Sequence, residues 1–195
     1  VTSGGATNAN LVTLATTATA GTILDFADTD NADVDIFGTT VKLDSPGVMG
    51  NTDSGKGLDI SAAVLDISTS DNGGVSGAIF IQELGTGSTK LTVDTADVAT
   101  TAGLIEITSL GNLTLDAVTS GGTTNANLVT LATAATGGTI LDFADTNNVD
   151  VDILGSTVTL NSQGDMGHTD TGKGLDISAA VLDISTSDNG GVSGA

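Results

Sequence analysis

Short runs in which apolar and polar residues alternate recur along the whole chain. Val34-Asp-Ile is followed by Val41-Lys-Leu, Leu58-Asp-Ile by Leu65-Asp-Ile, Ile105-Glu-Ile by Leu113-Thr-Leu, and Val151-Asp-Ile by Val158-Thr-Leu. A period of two is that of a β-strand with one buried face. On this pattern Leu58 and Leu65 are expected to point inward, and Asp59 and Asp66 outward. Gly, Asn, Ser and Asp fill the gaps, as in Asp71-Asn-Gly-Gly and Ser120-Gly-Gly, and these residues favour turns. No stretch carries a 3.6-residue period. The Ala-rich piece Thr16–Ala20 is short and rich in β-branched Thr, a poor helix former. An all-β chain without significant helix is expected.

The runs are themselves periodic. Residues 1–78 return as residues 118–195, with 65 of 78 positions identical and the last 24 unchanged. Within this 117-residue repeat the strand-like runs open at Leu11, Val34, Leu58, Ile79, Ile105, Leu128, Val151 and Leu175, at spacings of 23, 24, 21, 26, 23, 23 and 24. A rung of roughly 23 residues with two or three short strands is the mark of a parallel β-solenoid, whose turns bury a continuous inner column by stacking. The expected fold is therefore an all-β parallel β-solenoid, or β-helix, of about eight rungs. Residues 1–117 form a first unit of five rungs, and residues 118–195 a second, truncated unit of one continuous solenoid. The chain reads as part of a longer array. The alternative is a string of Ig-like sandwich domains; the sub-period and the absence of Trp and Tyr to anchor a sandwich core speak against it.

Composition narrows the function. The chain has 195 residues and carries 24 acidic side chains (22 of them Asp) against four Lys and no Arg, for a net charge of −20. Such a chain cannot release the counterions that drive phosphate affinity, which excludes nucleic-acid binding. No apolar run approaches the roughly 18 residues of a spanning helix, so membrane insertion is not expected. Val, Ile and Leu dominate an apolar fraction of 38%, too high for a disordered chain. Cys is absent, and no disulfide framework exists.

Rungs such as Gly103-Leu-Ile-Glu-Ile-Thr-Ser-Leu-Gly-Asn-Leu-Thr-Leu-Asp-Ala resemble those of filamentous-haemagglutinin-type proteins, giant bacterial surface adhesins with β-helical shafts. The stretch Leu65-Asp-Ile-Ser-Thr-Ser, running on to Ala78-Ile-Phe-Ile-Gln-Glu-Leu, is similar to repeats of very long surface proteins known only for their β-strand repeats. The likeness is one of texture along the whole chain and rests on no single diagnostic motif. It implies a right-handed β-helix, export to the cell surface or beyond, a structural or adhesive role, and no catalysis. The partners it implies are further copies of the repeat along the axis, like fibres, or a host or surface ligand.

Candidate chemistry is sparse. Gly50-Asn-Thr-Asp-Ser-Gly-Lys56-Gly57 and its copy Gly167–Gly174 match the first seven positions of a Walker A phosphate loop, but glycine replaces the hydroxyl residue that would hold magnesium, and a strand pattern comes next. Both are read as turns. The acidic turn Asp28, Asp30, Asp33, Asp35 returns as Asp145, Asp150 and Asp152, with Asn147 in place of Asp30. Alternating oxygen ligands suit Ca²⁺, although neither an EF-hand nor a nonapeptide calcium motif is present; a solvated acidic turn is the competing reading. No other cofactor is expected. Asp35 and Asp59, and likewise Asp152 and Asp176, are expected to stack on successive rungs. The single His168 is Asn51 in the other copy, so the repeat does not require it. With no Cys, Arg or Tyr the chain has little to catalyse with. An ice-binding Thr ladder is not supported either, because Thr-x-Thr does not recur on each rung.

Overall fold

Inward-facing aliphatic residues in each short strand are closed over by a second sheet built from strands of the same kind. A computed structural model describes residues 10–18, 21–25, 33–50, 57–69, 77–85, 87–95, 104–120, 127–143, 151–167 and 174–186. The first sheet stacks β2 (Ile36–Phe37), β4 (Leu58–Ser61), β6 (Ile79–Glu83), β8 (Leu104–Ser109), β10 (Leu128–Thr133), β13 (Thr157–Ser162) and β15 (Val181–Thr186) in that order. The second stacks β1 (Leu11–Ala15), β3 (Thr40–Asp44), β5 (Val64–Thr69), β7 (Ser88–Thr95), β9 (Asn112–Ser120), β12 (Ile153–Leu154) and β14 (Ile177–Ser178), with β11 (Ile140–Asp142) beside the first half of β9. Neighbours in both sheets pair in parallel, for example Thr40 with Val64 and Leu104 with Leu128. The chain is thus an all-β parallel solenoid, without helix among the described residues. An Ig-like sandwich would require antiparallel sheets.

The expected count of eight rungs is not supported. Strands stack seven deep along each sheet, and the openers do not each begin a new turn. Leu11 lies in the second sheet, but the next opener leads into β2 of the first sheet, half a turn later. The same happens between Leu128 in the first sheet and β12 in the second. In these two places a whole opener-to-opener interval covers only half a turn, because one layer is built from two short elements in tandem. Ile23 bridges Met49 while β2 pairs with β4, and Ile140 bridges Met166 while β12 pairs with β14. Whole turns, read from paired residues, also differ in length. Leu58 to Ile81 is a short one, Thr40 to Val64 and Val64 to Lys90 are slightly longer, and Leu11 to Thr40 is longer again.

This shifts the geometry of the repeat. From β1 to its copy β10 the chain changes sheet nine times, so one repeat advances four and a half turns. Every element of the second copy consequently lies in the opposite sheet from its original. β3 of the second sheet becomes β13 of the first, and β4 of the first becomes β14 of the second. Pairing is preserved through the exchange: Thr40 pairs with Val64 as Thr157 does with Val181, and Ile36 with Ile60 as Ile153 does with Ile177.

The core is a set of columns. One runs Val12, Val41, Leu65, Leu91, Leu115, and a facing one runs Leu58, Ile81, Ile107, Leu131, Leu160. All ten are buried. Each such side chain stabilises the fold by about 1.5–3 kcal/mol relative to exposure. Leu58 and Leu65 point inward as expected, but Asp59 departs from expectation: it is only 2% exposed. On the outer face it stands in register with Asp35 of one turn and Gln82 of the next. Its copy Asp176, with no described turn beyond it, is half-buried. Asp66 does lie at the surface, 2.7 Å from the Lys42 ammonium.

Turns pass each other closely at the corners. A side chain on Gly111 would collide with the carbonyl oxygen of Gly87 on the neighbouring turn, whereas the space around Gly87 is open. Gly111→Ala is expected to destabilise by about 1–3 kcal/mol, the usual cost of overpacking. Gly87→Ala should be near neutral, and chemical denaturation of the two variants checks the pair.

Candidate functional site

The acidic turns fall partly outside the described residues: Asp28, Asp30, Asp145 and Asp150 lie there, as does His168. Asp33 is exposed. Asp35 and Asp152 stand at matching positions of the two copies, immediately before β2 and β12. Each carboxylate accepts a hydrogen bond from the backbone of the next turn, Asp59 N–H to Asp35 Oδ2 at 3.1 Å and Asp176 N–H to Asp152 Oδ2 at 2.7 Å. The expected stacking of Asp35 on Asp59 and Asp152 on Asp176 is therefore present, and the lower carboxylate of each pair is directed along the axis. In both copies the carboxylate satisfies a backbone donor beside a two-residue strand, a structural task. Among the described residues no group of three or more His, Asp or Glu is arranged to hold a metal ion.

These contacts bear on cation dependence. With −20 net charge along a rod, simple salt should raise the melting temperature by screening self-repulsion. Dedicated Ca²⁺ sites would act by mass action at far lower concentration. Melts in chelator, in millimolar Ca²⁺ and in NaCl of matched ionic strength are expected to give equal rises for the two salts. A rise of several degrees with Ca²⁺ alone would favour dedicated sites.

The two glycine-rich stretches lead into strands. Gly50 and Gly167 adopt φ of +75° and +80°, and the next described elements are β4 and β14. A phosphate loop needs a helix N-terminus there. Residues 51–56 and 168–173 lie outside the described residues.

The alternation of β6 leads to a group that the charge pattern alone does not reveal. Ile79, Ile81 and Glu83 share one face, and all three point inward. Glu83 is fully buried in a column that changes character at this level, from Ile36 and Ile60 on one side to Ser109, Thr133 and Ser162 on the other. Its Oε1 accepts from the backbone N–H groups of Ala62 (3.2 Å) and Gly85 (2.9 Å), and Oε2 accepts from the Ser109 hydroxyl at 3.1 Å. Burial pushes its pKa above the ordinary 4.5, against the smaller opposing effect of these hydrogen bonds. The second sheet carries the equivalent column, in which Thr16, Ser45, Thr69 and Ser120 end the inner rows and the Thr16 and Ser45 hydroxyls lie 2.9 Å apart. The Ser45 hydroxyl donates to the Gly21 carbonyl and that of Ser162 to the Gly138 carbonyl. These hydroxyls add donors to corner carbonyls; the Gly21 carbonyl also accepts from the Gly47 N–H at 2.7 Å, and that of Gly138 from the Thr133 hydroxyl. Period-two counting through Ile67-Ser-Thr69 and Ile81-Gln-Glu83 is the sequence signal for both columns.

A cavity of about 540 Å³ opens at the C-terminal end of the stack. Its walls are mainly apolar and include Leu160, Met166, Leu175, Ile177 and Ile184. β15 beside it is exposed along its whole length, with Leu182 at 47% and Ile184 at 51%. In the second sheet Lys90 lies 2.9 Å from the Asp116 carboxylate, at the bulge between β7 and β9. The same ammonium stands 3.9 Å from the centre of the Phe143 ring, which joins a residue of the first copy to one of the second. Searches of protein families, curated proteins and solved structures found no match to this chain.

Proposed function

We propose that this chain is a length of non-catalytic shaft from an extracellular or cell-surface bacterial fibre or adhesin. One observation carries the reading: near-identical copies pair in the same register within the same two sheets, and β9 (Asn112–Ser120) runs unbroken across the junction at residue 117. A design of this kind gains length with every copy and gains nothing else. The two units form one rod, and the natural partners are further copies of the repeat along the axis, with like fibres or a surface ligand on the flanks. The texture shared with filamentous-haemagglutinin-type rungs favours export and a right-handed coil. The general handedness of parallel crossover connections favours the same hand. Axial backbone hydrogen bonds and aliphatic columns supply the stiffness, and the acidic exterior keeps neighbouring shafts apart.

Concatemers of two, four and six repeat units test this. Each unit should lengthen the particle by about 22 Å, four and a half strand spacings of about 4.8 Å, at constant cross-section by small-angle scattering. Growth as a flexible chain of beads, with no constant cross-section, would overturn the shaft.

A further inference from the structure

The two copies of the repeat offer a comparison that locates an interaction surface and its occupant. In the first copy Met49, Leu58, Ile60, Leu65 and Ile67 are buried to 3% exposure or less. Their counterparts Met166, Leu175 and Ile177 are only partly buried, and Leu182 and Ile184 are exposed. Residues 172–195, which hold all of these counterparts but Met166, repeat residues 55–78 without a change, so sequence does not explain the contrast there. What differs is the turn that lies above. In the first copy Ile79 bridges Met49, and β6 pairs with β4 (Leu58 with Ile81, Ile60 with Glu83). β7 pairs with β5 from Val64 with Lys90 to Thr69 with Thr95. Above β14 and β15 no described strand takes these places, and the cavity of about 540 Å³ lies there.

We propose that this end is a docking surface for a strand pair with the sequence of β6 and β7, carried by a further copy of this repeat. The inference rests on the shaft reading and names the segment that continues it. Because the repeat advances a half-integral number of turns, the incoming β6-like strand joins the second sheet over Met166 and β14. Its β7-like partner joins the first sheet on β15. The β6-like strand brings its Ile-x-Ile face into the cavity, as Ile79 and Ile81 do in the first copy, both at 3% exposure or less. The β7-like strand brings the counterpart of Leu91 onto Leu182, repeating the pairing of Leu91 with Leu65. Backbone pairing along the open edge supplies affinity, and the apolar pockets supply register.

The test is an extended chain in which a copy of residues 79–117 follows Ala195, compared with the parent protein by hydrogen exchange. Amides of residues 181–186 are expected to exchange at least 100-fold more slowly in the longer chain, as strand edges do once paired. Leu182→Asp should leave the melting temperature of the parent protein within a few degrees of its original value, yet abolish the added protection in the longer chain. Unchanged exchange at residues 181–186 overturns the proposal. So does protection that survives Leu182→Asp, since it would not come from the apolar contact between Leu182 and the counterpart of Leu91. The shaft reading stands or falls separately. If concatemers lengthen while residues 181–186 stay unprotected, the docking fails and the shaft remains. If residues 181–186 become protected but concatemers do not lengthen as rods, the docking holds and the shaft fails.

Discussion

Leu65→Asp is expected to destabilise the protein by at least about 3–5 kcal/mol, the range seen when an uncompensated charge is left inside a protein. Leu65 is fully buried, with Val41 on one side of its column and Leu91 on the other. A carboxylate at this position would face only aliphatic carbon, and the lost isobutyl group would add a packing defect. Typical domains have only about 5–15 kcal/mol in total, so the variant should unfold at much lower denaturant concentration or fail to fold. The molecule contains its own control. Leu182 is the same residue in the same local sequence, 47% exposed at the open end, and Leu182→Asp should cost less than about 1 kcal/mol. Asp66→Asn, next to Leu65 in the chain, removes only a surface pairing with Lys42 and should change stability by about 1 kcal/mol or less. Urea titrations of the three variants measure the differences. Equal losses at residues 65 and 182 would contradict the end exposure described above.

Glu83→Gln should make the protein more stable at neutral pH. The folded state holds the Glu83 carboxyl above its ordinary pKa because burial disfavours the charge. A carboxyl whose pKa is raised on folding contributes stability that is fully present below the unfolded value. That stability is lost as pH rises through the folded value. The wild type should therefore lose stability across the region above pH 4.5, and the variant should lose less there. Glutamine keeps an oxygen for the Ala62 and Gly85 N–H groups and can donate from its amide to the Ser109 hydroxyl. The measurement is the difference between the two proteins from acid to neutral pH, since general repulsion among the other carboxylates acts on both alike. The curves should meet at the acid end and separate as pH rises. A variant less stable than wild type at neutral pH would mean that the hydrogen bonds to the charged carboxylate outweigh its burial.

Local pattern makes most of the strands readable. Val41-Lys-Leu, Leu65-Asp-Ile, Ile105-Glu-Ile and Val158-Thr-Leu all lie in strands, with the apolar residues inside. The half turn is not readable. Openers at nearly equal spacing mark a whole turn, to within one residue, between Ile105 and Leu128 but half a turn between Leu11 and the approach to β2, because spacing measures contour length and not the angle swept. Only the tandem arrangement of Ile23 with β2, which fills one layer with two short elements, separates the two cases. The burial of Asp59 escapes the pattern for a related reason. Alternation says which face of the sheet a residue occupies but not whether that face meets water: Asp59 is 2% exposed, while Asp66, also paired on both sides, lies at the surface. In the acidic turns the residue types point toward a cation, while the geometry at Asp35 and Asp152 assigns those carboxylates to backbone donors.

The exchange of sheets between copies has a mechanical consequence. The two sheets are unequal where long strands such as β5 lie opposite a layer assembled from short pieces such as Met49 and β4. A coil with one stiff flank and one interrupted flank bends under load toward a preferred side. Here the flanks change places with every repeat, so in any array that continues the pattern the bias of one unit is opposed by that of the next. The neutral axis then stays straight over each pair of units, and stiffness becomes equal toward both flanks although no single unit is symmetric.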